Sequence, residues 1–552
     1  MMSRRTIAAG GLGLVVLAAA GWPLGRHESP LPEPDYPPPA GADRTVSIRD
    51  FGAQGDGAAD DTAAFQAAHD HLRDGGVILV EAGEYRVRSI RITHRHVTVR
   101  LAQGATLRRS GRPDLATRGM FLIELVGAHF ALEGGMIDLN GEGPMEIGKP
   151  GRIPNRYGAQ TAADIRAIAG PANAAIYALR ASFVTISDVT IANTGETALL
   201  FRNCGHVHVQ RCQFRNIANF GVEFSLVEAA IDGGTEPMPE RGACRVSDCD
   251  FTDIDDYGLG TGNGVAVGGG GGGGQGAFAG FEITNCTFTR CQRDIHFEFL
   301  AGTLLTDLAI TRIRSRDARQ GSFGLVGVRD VTISDYVAMD PGSAPTAALP
   351  EHYPSVYGGA LSGDFDRIRL KNVAIIDGRS RGIRIGRLGA INRGSRTFVA
   401  SDARFDTGDI GAFLGIRGAN PKGTWYVGRI VEILAPDRVL LDLPAAAGTT
   451  GATYSYGGAT REGLILTHGG GVTLDHVRIV AGRGSGLPGE PPAAGLRLEA
   501  LRTPVTAAGT TIAAPHGPDG GATAVRAPDR PSYAHAISGI VISGFPRATS
   551  AR

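Results

Sequence analysis

The chain has 552 residues, and its 55 basic and 55 acidic side chains leave a formal charge of zero, so no global field exists to hold nucleic acid or an anionic membrane. Its 81 glycines and 30 prolines, set against 6% aromatic residues, suit a turn-rich all-β solenoid better than a helical bundle. A repeat architecture can use this length as one continuous body rather than several ordinary domains.

The first 22 residues read as an export signal. Ser3-Arg4-Arg5-Thr6 precedes the apolar run Ile7 to Ala20, too short to span a bilayer comfortably and followed by Gly-Trp-Pro. The Ser-Arg-Arg start is similar to a twin-arginine signal, with a general secretory signal as the alternative. Residues 23–44 form a proline-rich linker without periodicity. A periplasmic or secreted protein with no membrane span in its mature form is the expectation.

Residues 46–57, Val-Ser-Ile-Arg-Asp-Phe-Gly-Ala-Gln-Gly-Asp-Gly, are a short strand running into a glycine-rich turn. Asp60-Asp61-Thr62 then caps a helix whose Ala64, Phe65, Ala67, Ala68 and Leu72 share one face. Gly75-Gly76 ends it, ahead of the strand Val77-Ile78-Leu79-Val80 and the turn Ala82-Gly83-Glu84-Tyr85. This segment, about residues 46–88, resembles the opening of the pectate-lyase and polygalacturonase-like β-helix superfamily. The resemblance implies a right-handed parallel β-helix, with this helix as its N-terminal cap and with Asp56, Asp60 and Asp61 structural rather than catalytic.

Internal repeats support the same architecture over residues 45–548. Val189, Cys212, Cys249, Cys286, Ile313, Tyr336, Val373 and Val477 mark one position in eight turns, with apolar residues five and three before each and, in most turns, two after. Spacing of two within each pair is a strand with one buried face; spacing of three between pairs requires a corner. The residue before each marker is Asp188, Arg211, Asp248, Asn285, Arg312, Asp335, Asn372 or His476, and Asp and Asn tolerate tight bends. A third strand is expected about ten residues past the marker, as in Gly221–Phe224, Ile295–Glu298 and Gly382–Ile385.

Longer spacings locate insertions. Two follow the third strand, Leu226–Gly242 and Gly262–Phe278, the latter with seven consecutive glycines, Gly268–Gly274, read as a flap. A larger one, about 392–460, is expected to form a small β-rich insert, and a fourth loop covers 341–365. Residues from about 503 to 530 show no clear turns. Cys212, Cys249 and Cys286 share one inward column and read as small stacked hydrophobes, with a disulfide between neighbouring turns as the alternative.

Three insertions at one corner would wall a groove over the third strands, and the candidate site lies there. Glu223, Gly260 and then His296 or Glu298 form an outward column, in which the His296 turn looks slipped by one residue. Asp255, Asp256, Arg293 and Asp294 precede the strands, and Arg384 lies further along. Catalytic roles fall to Asp255, Asp256, His296 and Glu298, and substrate binding to Glu223, Arg293, Asp294 and Arg384. Close carboxylates push their pKa values apart and so provide an acid and a base. The resemblance implies that Asp255-Asp256 and His296 match polygalacturonase positions, although no Gly-His-Gly is present and Gly386 stands where that family has lysine. A glycoside hydrolase acting on extracellular polysaccharide is the leading expectation. Alternatives are a lyase eliminating across a uronic acid, with His296 as base and Arg293 and Arg384 as cations, and a glycan-binding protein without activity. Lysine is an unsuitable base, since only Lys149, Lys371 and Lys422 occur. No cofactor is expected, with calcium on Asp255, Asp256, Asp294 and Glu298 as the alternative. The expected partner is a polysaccharide and the expected state a monomer.

Overall fold

A computed structural model describes residues 44–110, 121–139, 174–194, 197–217, 219–226, 244–254, 262–268, 276–298, 303–343, 357–379, 382–420, 425–483, 493–515, 522–527, 539–545 and 547–550. The expected signal, the linker up to residue 43, Asp255, Asp256, Gly260 and most of the glycine run lie outside these residues.

Short strands pair in parallel with the strands one turn earlier and one turn later, which makes a parallel β-helix. One turn runs through Gly205–Gln210, Gln213–Ile217 and Phe220–Ser225. The next turn pairs Val209 with Val246, Phe214 with Phe251 and Val222 with Val265. All eight expected corner residues have left-handed backbone, with φ between 52° and 60°. That conformation is costly for most L-residues, and the corner side chains offset it by bonding along the axis. Arg211 donates two hydrogen bonds to Asp188 at 2.8 Å, and Asn372 donates to Asp335 at 3.0 Å.

Part of the core is built from identical residues stacked turn on turn. Phe214, Phe251 and Phe288 lie face to face, with centroids 4.7 and 4.8 Å apart, close to the spacing of neighbouring strands. All six cysteines are buried free thiols. The thiols of Cys212, Cys249 and Cys286 donate to the carbonyls of Ile186, Val209 and Val246 on the preceding turn.

The helix Thr62–His71 buries Ala64, Phe65 and Ala68 in the same core. Asp61 precedes it but makes no capping bond to it; its carboxylate accepts from the backbone N–H of Gln54 and Gly55, closing the glycine turn. Asp60 accepts from the Thr62 N–H instead. It is the one α-helix among the described residues, and no helix there is long and apolar enough to cross a membrane.

Several element boundaries differ from the sequence reading. Arg384–Ile391 is not a solenoid strand. It opens a closed antiparallel barrel of six strands that ends at Tyr456 and has its own core around Phe398, Leu414 and Tyr454. The third strand of that turn is Glu462–Thr467, paired with Tyr357–Ser362, which lies inside the expected 341–365 loop. Asn263–Gly268 is also a third strand rather than insertion. Within the expected β-rich insert, Thr407–Asp409 is a 3-10 turn. Thr506–Ala508, Thr510–Ala513 and Thr523–Arg526 continue the solenoid through the stretch without visible periodicity, each paired in parallel with the strand one turn earlier.

Candidate functional site

The third strands run in register, so their fourth residues form one outward column: Glu223, Ala266, His296, Gly324, Ala360, Ile465 and Arg497. His296 is in register with Glu223 two strands away, about 10 Å along the axis, and that turn is not slipped. The first residues of these strands, including Asn263, Arg293, Gly321, Tyr357 and Glu462, form a second row beside the column.

His296 is the most perturbed group on this face. Its Nδ1 lies 3.1 Å from the Gly324 carbonyl, and its Nε2 lies 3.1 Å from a Glu298 carboxylate oxygen. The ring is 14% exposed while Glu298 is 62% exposed, so the carboxylate reaches from solvent to a largely covered imidazole. Burial first, and then the positive charge of Arg293, hold the His296 pKa down at about 4. Both ring nitrogens face oxygen acceptors, but a neutral imidazole carries one N–H. One nitrogen therefore keeps its lone pair at neutral pH. The hydrogen bond from His296 lowers the Glu298 carboxyl, which stays ionised.

Two glycines shape the floor. A Cβ at Gly321 would lie 2.4 Å from the Tyr357 ring; one at Gly324 would lie 2.9 Å from the Tyr357 hydroxyl and 3.2 Å from His296 Nδ1. Tyr357 and His296 thus converge over Gly324, and any side chain there would strike both. Sequence reasoning missed Tyr357, Gly321 and Gly324. The signal was Gly321-Ser322-Phe323-Gly324, two glycines at outward positions of one strand.

The other expected residues divide. Arg293 is buried beside the column, with Nε donating to Gln320 at 3.0 Å. Glu223 accepts from the Thr197 hydroxyl at 3.3 Å. Asp294 points the other way, into the core, wholly buried near the hydroxyls of Ser315, Ser322 and Tyr336. Burial pushes its carboxyl well above the usual carboxylate range, and it cannot touch a ligand in the groove. Asp294 and Glu298 therefore lie on opposite faces and cannot share a calcium ion. Among the described residues no group of three or more His, Cys, Asp or Glu side chains could hold a metal. Arg384 belongs to the barrel, where it pairs with Asp409 and covers the Tyr456 ring at 4.3 Å. It is not a groove residue, because its strand pairs antiparallel with Thr449–Tyr456 and not with a solenoid strand.

The barrel docks at the corner preceding the third strands. Arg319, just before Gln320 and Gly321, lies over the ring of barrel residue Phe413 at 5.0 Å. The barrel so flanks the side of the face on which Tyr357 and Arg293 lie.

Residues 45–100 match the family model described as rhamnogalacturonase A/epimerase, pectate lyase-like. A mannuronan C5-epimerase of Azotobacter vinelandii is 60% identical over 43 residues, 7% of this chain and 2% of that protein. An alginate lyase of the same organism is 54% identical over 43 residues, 5% of its length. The chain thus matches only a few per cent of the length of these curated relatives. Over the whole fold, the surface protein and adhesin PfbA of Streptococcus pneumoniae superposes with a TM-score of 0.50 at 13% identity, covering 92% of this chain and 100% of that one. Strand pairing and fold likeness agree that the chain is a parallel β-helix, and its opening segment is the part that matches the pectate lyase-like family model.

Proposed function

We propose that this protein is a polysaccharide-processing enzyme that cleaves an acidic chain by β-elimination in the groove over the third strands. One observation carries the reading: a covered imidazole, His296, held neutral beside an ionised Glu298 and converging with the Tyr357 hydroxyl over a glycine floor. With its Nε2–H donated to Glu298, His296 keeps a lone pair on Nδ1, over Gly324, and that nitrogen removes the proton next to a uronic carboxylate. Electrons move to form the ring double bond, the glycosidic C–O bond breaks, and the leaving oxygen takes a proton from Tyr357. Arg293, whose positive charge is felt by both His296 and Glu298, favours the negative charge that develops. The short matches to an epimerase and an alginate lyase fit this chemistry, since both reactions begin by abstracting a proton from a sugar ring.

Hydrolysis, the leading expectation from the sequence, needs a carboxyl held protonated as general acid. The His296 contact pushes Glu298 the opposite way. Hydrolysis would rest on Asp255 and Asp256, which lie outside the described residues. On the strength of the leader-like start we place the enzyme outside the cytoplasm.

The test is a panel of polyuronides and neutral polysaccharides with product analysis. Unsaturated sugar ends, seen by ultraviolet absorbance and lost in His296→Gln and Tyr357→Phe, support elimination. Saturated ends identify a hydrolase. Retained binding without product from any polymer identifies a glycan-binding protein, and full activity in both variants argues against this site.

A further inference from the structure

The outward column continues past the strand that carries His296 with no charged side chain over the next three strands. From His296 it passes Gly324, Ala360 and Ile465 to Arg497, four strand spacings or roughly 19 Å away. A second built polar site stands there. Arg497 donates to Glu499 at 2.5 and 3.1 Å, and Arg526 donates to Glu462 at 2.8 Å. The link between the two pairs is longer, Arg497 Nη1 to Glu462 Oε1 at 3.4 Å. Arg497 and Glu499 are 28% and 27% exposed, whereas the Glu462 side chain is 3% exposed.

Behind this mouth are two oxygens without a hydrogen-bond partner, Glu462 Oε2 and Thr523 Oγ1, both buried. Their residues are in register two strands apart, with Ala494 between them. An unmet buried carboxylate oxygen is costly, and a hydroxyl donor is the partner it lacks. Arg497 is held more closely by Glu499 than by Glu462, so it can swing out with Glu499 while Arg526 keeps Glu462 in place.

We infer that Glu462 and Thr523 form a distal subsite for the hydroxyls of a sugar unit, which anchors a polymer whose other end lies at His296. Glu462 Oε2 accepts from one hydroxyl, and the Thr523 hydroxyl exchanges a hydrogen bond with its neighbour on the same ring. The inference rests on the groove being a saccharide groove. It adds that affinity depends on chain length.

The experiment measures binding of oligogalacturonate, oligoalginate and cello-oligosaccharide ladders to the full chain carrying His296→Gln, alone and with Glu462→Gln or Thr523→Val. A disaccharide is too short to bridge from His296 to Glu462; an octasaccharide is long enough. Glu462→Gln is expected to weaken the octasaccharide about tenfold, in line with loss of a hydrogen bond to a charged group, Thr523→Val about fivefold, in line with loss of a neutral one, and both to leave the disaccharide unchanged. Equal effects on both lengths, or none on either, overturn the subsite. Thr523→Val, which keeps side-chain shape, carries the test if Glu462→Gln misfolds. Length-dependent binding with no turnover by the unsubstituted protein removes the enzyme reading and keeps the subsite. Turnover without a length effect does the reverse. Binding to none of the ladders overturns both.

Discussion

The pH dependence of His296 is the sharpest handle on the proposed chemistry. The ring has an ordinary pKa of 6.5 and is held at about 4, a difference equivalent to about 3 kcal/mol in favour of the neutral form. At 14% exposure little of that is lost to solvent screening. If His296 is the base, kcat/KM rises with pH through a limb near 4 and is flat above it, where an unperturbed imidazole would place the limb near 6.5. Arg293→Met removes a charge that lowers the pKa and shifts the limb upward. Glu298→Gln removes a carboxylate that raises it and shifts the limb downward. His296→Gln is expected to reduce kcat/KM by roughly 10²–10⁴, or about 3–5 kcal/mol of barrier. The assay is initial rate on the best polymer of the panel across pH, for the four proteins. A limb near 6.5, or one indifferent to both Arg293 and Glu298, refutes the assignment. The same difference has a sign for stability: the unfolded ring takes up a proton below about 6.5 while the folded ring does not. Stability therefore falls as pH drops from about 6.5 to about 4.

Other expectations follow from buried groups. Asp294 has its folded pKa raised, so it stabilises the fold at low pH and loses that contribution as pH rises from the unfolded value through the folded one; Asp294→Asn should flatten this dependence in thermal melts across pH. Phe251→Ala opens a cavity in the Phe214–Phe251–Phe288 stack and should cost about 3–5 kcal/mol in denaturant unfolding, with a smaller cost for Phe251→Leu, which keeps part of the apolar volume. A thiol reagent should label none of the six cysteines in the native protein and all six after unfolding, because burial raises the thiol pKa at Cys204, Cys212, Cys244, Cys249 and Cys291 and hides all six. Arg384→Met should lower the melting temperature by loosening the barrel at Asp409 and Tyr456, with KM unchanged; a raised KM would return Arg384 to the groove.

Much of the solenoid is written in local periodicity. A strand with one buried face has a period of two, and a corner breaks that period by one residue. The eight left-handed residues from Asp188 to His476 could therefore be located by counting. The opening segment is legible for the same reason: its glycines and aspartates serve backbone geometry that is local in sequence. Which strand neighbours which after an insertion is not local. Gly382–Ile385 has the apolar pattern of a third strand, yet Arg384–Ile391 closes a barrel, because antiparallel partners are available to it within the next seventy residues or so and its pattern satisfies either sheet. Asp294 and His296 are two residues apart and were assigned to one face. The bend at the start of the strand turns Asp294 into the core and leaves His296 outside, and only packing against Ser315, Ser322 and Tyr336 reveals that. Tyr357 reaches His296 from two strands away across the glycine floor. That meeting depends on stacking between turns, and no spacing along the chain encodes it.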